Sequence, residues 1–480
     1  MSATRFPRSR SGLYAITASL VLLLPLTAGA AGATIWVAPP NRTDDTANIQ
    51  SALDACVAHG PGCTVQLAAG TYHTRQLVGY NFHGTFRGIG TDRTTIEALP
   101  YLPVTLDFLQ PCQPNTTTCL WPTLIIFVDG DISISDLSVH MTATDGTATV
   151  SWPGSGAGNT YIETGIRLMG QDSTTNVHIA RFEEEGRPDD TSPFGFNVNN
   201  GIMYTGELSG SSANPVTLPC GAAGGFYFVS GSYTVRNSSF KMMGDGVSQD
   251  GCVRSSHVVI GGSPSTGNSF ENLATGIDLE SAENSDFEVS YNTVSAIGNS
   301  MWVIPWVSSI FVPSKPSRYL IHDNKFFTTG TSSAGIILYN DTPDDPWIDA
   351  AIWDNSIQLK ESLSDGLDAA NTKDTVVFNN TVTGSGYDAI GLYGSTASAV
   401  ILNNVSGYTP DASFGIAQIY LDPGTSRDHV VCAESTDTVL NQGTHNFVVG
   451  CQQLPTAPSS AGLAAPAPRL LSHTRTHLPY

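Results

Sequence analysis

Positive charge is scarce in this chain: 21 Lys+Arg stand against 42 Asp+Glu, and charged residues of both signs fill only 13% of 480 positions. A formal net charge of −21 excludes the diffuse basic field that holds nucleic acid or adheres to anionic membrane. Few charges beside 40% hydrophobic residues exclude a disordered polyanion. Beyond the first 33 residues there is no apolar run long enough to read as a transmembrane helix. Zinc-ribbon spacing, a Walker loop, a dinucleotide fingerprint and a hydrolase nucleophile elbow are missing as well. What is plentiful is glycine, with 47 positions, which calls for many tight turns rather than long helices.

Residues 1–33 read as an export signal. Arg5, Arg8 and Arg10 precede an apolar run from Leu13 to Leu26, and small residues follow, so cleavage after Ala30 or Ala33 is expected. Loss of three arginines and no acids leaves 447 residues at −24. The expected location is therefore secreted or periplasmic. Eight cysteines suit an oxidising compartment, and the local pairings Cys56–Cys63, Cys112–Cys119, Cys220–Cys252 and Cys432–Cys451 are expected among the 105 possible sets.

The exported chain opens with a short strand, Thr34 to Val37. Asp44 and Asp45 can then cap a helix over Thr46–His59, with Ile49, Leu53 and Cys56 on one face and Gly60 at its end. From Tyr161 to Leu421 the pattern changes to a loose repeat. Gly-aliphatic pairs recur at Gly165, Gly201, Gly246, Gly276, Gly335, Gly366 and Gly415, with Asp388-Ala389-Ile390 as a degenerate member. Between them, Asn292, Asn324, Asn355 and Asn380 are each followed at the second position by an apolar residue, and Asn403 or Asn404 continues the series. Repeats of mostly 23–36 residues, built of short β segments, predict a solenoid whose coils stack about 4.8 Å apart. At that spacing the asparagines can form an internal amide ladder, and the glycines read as bends between stacked strands. Segments 101–122, 143–163, 183–224 and 302–318 read as loops leaving the coils. One domain is expected over 34–454, with an N-terminal cap at 34–72 and a disordered Ala/Pro/Ser-rich tail at 455–480.

The opening TIWVAPPNRTDDTANIQSALDAC, then VQLAAGTY and the GIG of residues 88–90, resembles the N-terminus of the pectate-lyase-like superfamily. The later Gly-Ile and Asn-x-apolar units resemble its coils, across about residues 34–450. The resemblance implies an all-β, single-stranded, right-handed parallel β-helix with an N-terminal capping helix, and a substrate lying along an exterior sheet. It does not select an activity, because the superfamily holds hydrolases, lyases, epimerases and noncatalytic proteins.

Polysaccharide chemistry on such a face needs carboxylates, as acid and base for hydrolysis or as calcium ligands for elimination. Asp365, Asp368 and Asp388, in DGLDAAN and YDAIGLYG, form the preferred acidic centre. If Asp365 and Asp388 occupy adjacent coils, their carboxylates share a proton or a cation. As turn residues before glycine they would only cap backbone amides. A second cluster comprises Asp245, Asp250, Arg254 and His257 in GDGVSQDGCVRSSH, which resembles a polygalacturonase segment but lacks its Asp-Asp, Gly-His-Gly and Arg-x-Lys elements. Trp306, Trp347 and Tyr393 are expected to stack on sugar, whereas Trp353 is expected to be buried beside Asn355.

Hydrolysis of a polysaccharide through this acidic groove is the leading expectation. A noncatalytic glycan-binding or adhesin-like protein and a calcium-dependent lyase or uronan epimerase are the alternatives. The sequence establishes no cofactor, and calcium is the candidate. The expected partner is a polysaccharide or glycan, without nucleic acid, and the expected state is a monomer, with a trimer left open.

Overall fold

The computed structural model describes residues 32–99, 123–141, 164–171, 173–186, 200–206, 228–304, 315–330, 333–340, 348–360, 364–410 and 417–455. Nearly all of the expected export signal and of the expected tail, with Trp306 and Trp347, lie outside the described residues. Within them the chain forms one helix, Thr46–His59, and 32 strands.

The strands pair in parallel, coil upon coil, into three stacks. The first runs from Thr34–Trp36 through Cys63–Gln66 and His257–Gly261 to Phe447–Val449. The second runs from Gly70–Thr74 through the start of Ser269–Glu283 to Thr381–Gly386. The third runs from Leu77 through Ile277 and Leu367 to Val439. This is a right-handed parallel β-helix, a single long solenoid, as the repeat predicts. Its interior is a continuous column of Ile, Val, Leu and Phe with no solvent exposure at most positions. Each such side chain contributes on the order of 1.5–3 kcal/mol by burial.

The N-terminal end is closed by the helix, which buries Ile49, Ala52, Leu53 and Cys56. Asp44 accepts the Thr46 amide at 3.0 Å, while the Asp45 carboxylate turns to the amides of Asn41 and His73. One of the two expected caps therefore works on the helix and the other ties the helix to the first coils. Cys56–Cys63 and Cys432–Cys451 are bonded, fastening the two ends of the solenoid. Cys112, Cys119, Cys220 and the Cys252 side chain fall outside the described residues. Among the described residues, no helix is long and apolar enough to cross a membrane.

The asparagine ladder is continuous from Asn268 through Asn292, Asn324, Asn355 and Asn380 to Asn403. Each Nδ2 donates to the next Oδ1 at 2.9–3.0 Å. Each Nδ2 also donates to a backbone carbonyl, such as that of Val289 for Asn324. The bend lies one residue earlier, where Tyr291, Asp323, Asp354, Asn379 and Leu402 hold φ between 51° and 61°. That left-handed conformation costs roughly 1–2 kcal/mol in an L-residue, and the ladder's hydrogen bonds offset it.

Three sequence expectations need correction. Among the described residues the repeated glycines sit within strands, not at bends: a Cβ on Gly246, Gly276 or Gly335 would lie 2.3–2.4 Å from an interior carbon of Phe270, Val294 or Ile357. Interior crowding is what leaves no room for a side chain there. Two expected loops hold strands, since Asn176–Glu185, Asn200–Gly206 and the end of Thr293–Ile304 are built into the coils. Trp353 is half-buried on the outer face of the first stack, sandwiched between His322 at 4.2 Å and Phe378 at 5.8 Å.

Candidate acidic site

Asp365 opens the strand Asp365–Ala370 of the third stack, and Asp368 lies further along it. Strict alternation would put residues three apart on opposite faces. Gly366 prevents this. A Cβ there would lie 2.6 Å from Val382 Cγ1 and 2.3 Å from the Ala389 carbonyl oxygen, so Gly366 faces the interior, as Leu367 does. Two successive inward positions slip the alternation, and Asp365 and Asp368 share the outer side.

Asp388 comes from the next coil, two residues before the strand Ile390–Tyr393, and its carbonyl accepts the Gly366 amide at 3.1 Å. One carboxylate oxygen from each aspartate lies within 4.8 Å of the other two. The floor is Gly391: a Cβ there would be 2.8 Å from Asp368 Oδ1 and 3.0 Å from Asp388 Oδ1. A side chain at that position would fill the space the carboxylates share.

Asp368 is 8% exposed and Asp388 is fully buried. The Oδ1 atoms of all three are buried without a hydrogen-bond partner. Among the described residues no Lys or Arg is paired with them. Burial pushes the Asp388 carboxyl up to about 7, against a lowering by the Tyr393 hydroxyl, which donates to its Oδ2 at 2.7 Å. Burial, then the neighbouring carboxylates, raise Asp365 and Asp368 well above the usual carboxylate range. Burial and the three acids likewise keep the Tyr393 proton on its oxygen.

Tyr393 packs edge-on against Tyr420 at 5.5 Å, in an outer apolar cluster with Ala370, Ala417 and Leu440, against which Tyr339 also packs. Acid and aromatic surfaces thus adjoin on one face of the solenoid.

Three hard oxygen donors around one space could hold a metal ion. Two oxygens bound to one calcium ion at 2.3–2.6 Å can be up to about 5 Å apart, so the observed spread fits calcium. The unpartnered Oδ1 atoms supply the free lone pairs that a cation needs.

Solved structures share this architecture. The A-module of mannuronan C-5 epimerase AlgE6 from Azotobacter vinelandii superposes with a TM-score of 0.55 at 14% identity, over 86% of this chain and 96% of that one. DFA-IIIase from Arthrobacter chlorophenolicus A6 without its lid, in complex with GF2, gives 0.51 at 13% identity, over 88% and 99%. The likeness is one of fold. No family model and no curated protein matches the chain.

The other sequence candidates do not join this centre. Asp245 is buried on the same stack, connected to Asp365 through Thr275, Asn299 and Ala334, roughly 19 Å away at about 4.8 Å per coil. Asp250 follows on that strand, and its side chain is outside the described residues. Arg254 ends the same strand opposite Glu283, and His257 is exposed on the first stack opposite Asp286. Gly391 and Tyr420 are the parts of the site that sequence reading missed. The Gly-Leu-Tyr-Gly run of residues 391–394 is the sequence trace of Gly391, and Tyr420 lies in the separate strand Ile419–Leu421.

Proposed function

We propose that this protein is an exported, carbohydrate-active β-helix enzyme that acts on a polyuronate by cation-assisted lyase or epimerase chemistry at Asp365, Asp368 and Asp388. The observation that carries the proposal is the convergence of three carboxylates whose Oδ1 atoms are buried and unpartnered. Hydrolysis needs its two carboxyl groups about 5–5.5 Å apart for retention or about 6.5–9.5 Å apart for inversion. Three carboxylates, with one oxygen of each within 4.8 Å of the other two, form a set that suits a shared ion. A polyuronate also needs a cation to approach a chain of net charge −21. The mannuronan epimerase of the same fold acts on such a polymer, and the two disulfides suit an oxidising location.

Asp365, Asp368 and Asp388 would hold the calcium ion, which would neutralise the substrate carboxylate and so acidify the adjacent carbon-bound proton. Tyr393 keeps its proton at rest, and its hydroxyl is fixed at the edge of the acidic centre by donation to Asp388. Tyr420 and Tyr339 supply apolar surface for sugar rings.

The test is a panel of polyuronates incubated with the full chain in heavy water, with and without chelator. Unsaturated products or deuterium at C5, lost on chelation and reduced about 100-fold or more by Asp368→Asn, support the reading. New reducing ends without either signal would mean hydrolysis. Binding without any product would mean a noncatalytic protein.

A further inference from the structure

A carboxyl group also lies in the apolar interior, on the second stack and apart from the acidic centre. Glu184 pairs in register with Val139 on one coil and Phe240 on the next. That inward column continues through Ile96 on one side and through Phe270 and Val294 on the other. None of these side chains is more than 1% exposed, and Glu184 has no exposure at all. Among them only Glu184 is polar. Its length carries the carboxyl across the interior to Gly165 of the third stack, just as Gly246 meets Phe270 and Gly276 meets Val294 in later coils. A Cβ on Gly165 would overlap Glu184 Oε1 and lie 2.6 Å from the carboxyl carbon. The room left by the missing side chain is the room the carboxyl fills.

Both carboxyl oxygens are buried without a hydrogen-bond partner. The strands packed around them bring no compensating charge. Glu183, Glu185, His140 and Lys241 stand on the outer face of the second stack, paired with one another. Arg167 alternates outward from Ile166 and Leu168. Tyr204, on the strand Asn200–Gly206, turns its hydroxyl to Gln249. Among the described residues no titratable or charged group faces the carboxyl. An apolar interior tolerates a neutral acid far better than an unpartnered ion. Burial accordingly pushes the Glu184 carboxyl well above the usual range.

We propose that Glu184 is a proton lock in the solenoid wall: its coil closes with this carboxyl protonated, and loss of the proton opens it. Folding then takes up one proton at this position. The stability tied to that proton is fully present below the ordinary glutamate value of 4.5 and is lost as pH rises toward the folded value. The protein is thereby held more firmly in acid than in base, whether or not the acidic centre binds calcium or acts on polyuronate.

The experiment is urea unfolding of the full, cation-free chain with its disulfides intact, in steps from pH 5 to pH 8, for the original protein and Glu184→Gln. Other titrating groups, Asp388 included, are common to both and cancel. The ratio of the variant's folding constant to the original's should rise about tenfold per pH unit until the folded carboxyl ionises. Glu184→Leu, apolar like its neighbours in the column, should give the same slope and serves where the glutamine variant folds poorly. Hydrogen exchange, corrected for its intrinsic pH dependence, should show Thr164–Gly170 and Asn176–Glu185 opening faster with rising pH in the original protein only. Infrared spectra at pH 7 should contain one protonated-carboxyl band that either variant lacks. A ratio that stays constant with pH, or an unchanged infrared band, would overturn the proposal.

Discussion

Two sets of polar side chains on this solenoid are brought together by coil stacking, and they behave oppositely. In the asparagine ladder each amide offers both donor and acceptor, so identical residues stacked on one another satisfy each other. At Asp365, Asp368 and Asp388 the same stacking brings together groups that, when ionised, only accept. Their Oδ1 atoms remain without partners, and the centre needs protons or a cation. A repeating fold thus makes an inert spine where the stacked group is self-complementary. Where it is not, the same fold makes a reactive spot.

The strongest way to break the contrast is to move a carboxylate into the ladder. Asn324→Asp would face the Val289 carbonyl and Asn355 Oδ1 with oxygen in place of a donor. A loss of about 3–5 kcal/mol is expected by denaturant titration at pH 7, partly relieved at low pH where the acid regains one donor.

The converse change, Asp388→Asn, removes a group whose proton affinity is raised by folding. The folded carboxyl titrates at about 7, against an ordinary value of 3.8. The stability linked to its proton is fully present below about pH 4 and is lost as pH rises through 7. The full difference is roughly 4 kcal/mol. Thermal melts of the cation-free protein should therefore fall between pH 4 and 7, and the variant should fall less. Added calcium should raise the melting temperature of the original protein near pH 7 and leave the variant nearly unmoved.

Gly366→Ala tests whether the slip in alternation builds the centre. Its new methyl would meet the Ala389 carbonyl and Val382, costing about 1–3 kcal/mol and separating Asp365 from Asp368. Calcium affinity should drop along with stability. The smallest effect is expected at the exposed surface. Arg181→Ala removes a pair with Asp136 in which the arginine side chain is 60% exposed, and should cost under about 1 kcal/mol in the same denaturation assay.

The fold was legible because its periodicity is written in residue types that stacking itself demands. Asn292, Asn324, Asn355 and Asn380 could be read as one column, and Ile49, Leu53 and Cys56 marked the capping helix. Legibility failed where a side chain's direction depends on a neighbouring coil. The repeated glycines looked like bends because glycine is common at turns, yet interior contacts with Phe270, Val294 and Ile357 are what require them. Asp245 and Asp365 looked equivalent before their glycines, but intervening coils separate them.

Scarce positive charge, short repeats and the Asn and Gly columns belong to the sequence itself, and they determine an acidic β solenoid because stacking selects residue type at every coil. Which acids meet was decided only by the tertiary structure. Inward placement of both Gly366 and Leu367 turns Asp365 and Asp368 to one side, and the next coil brings Asp388 to them over Gly391. Convergence of like charges is a property of coil register and crowding, and neither is local in the chain.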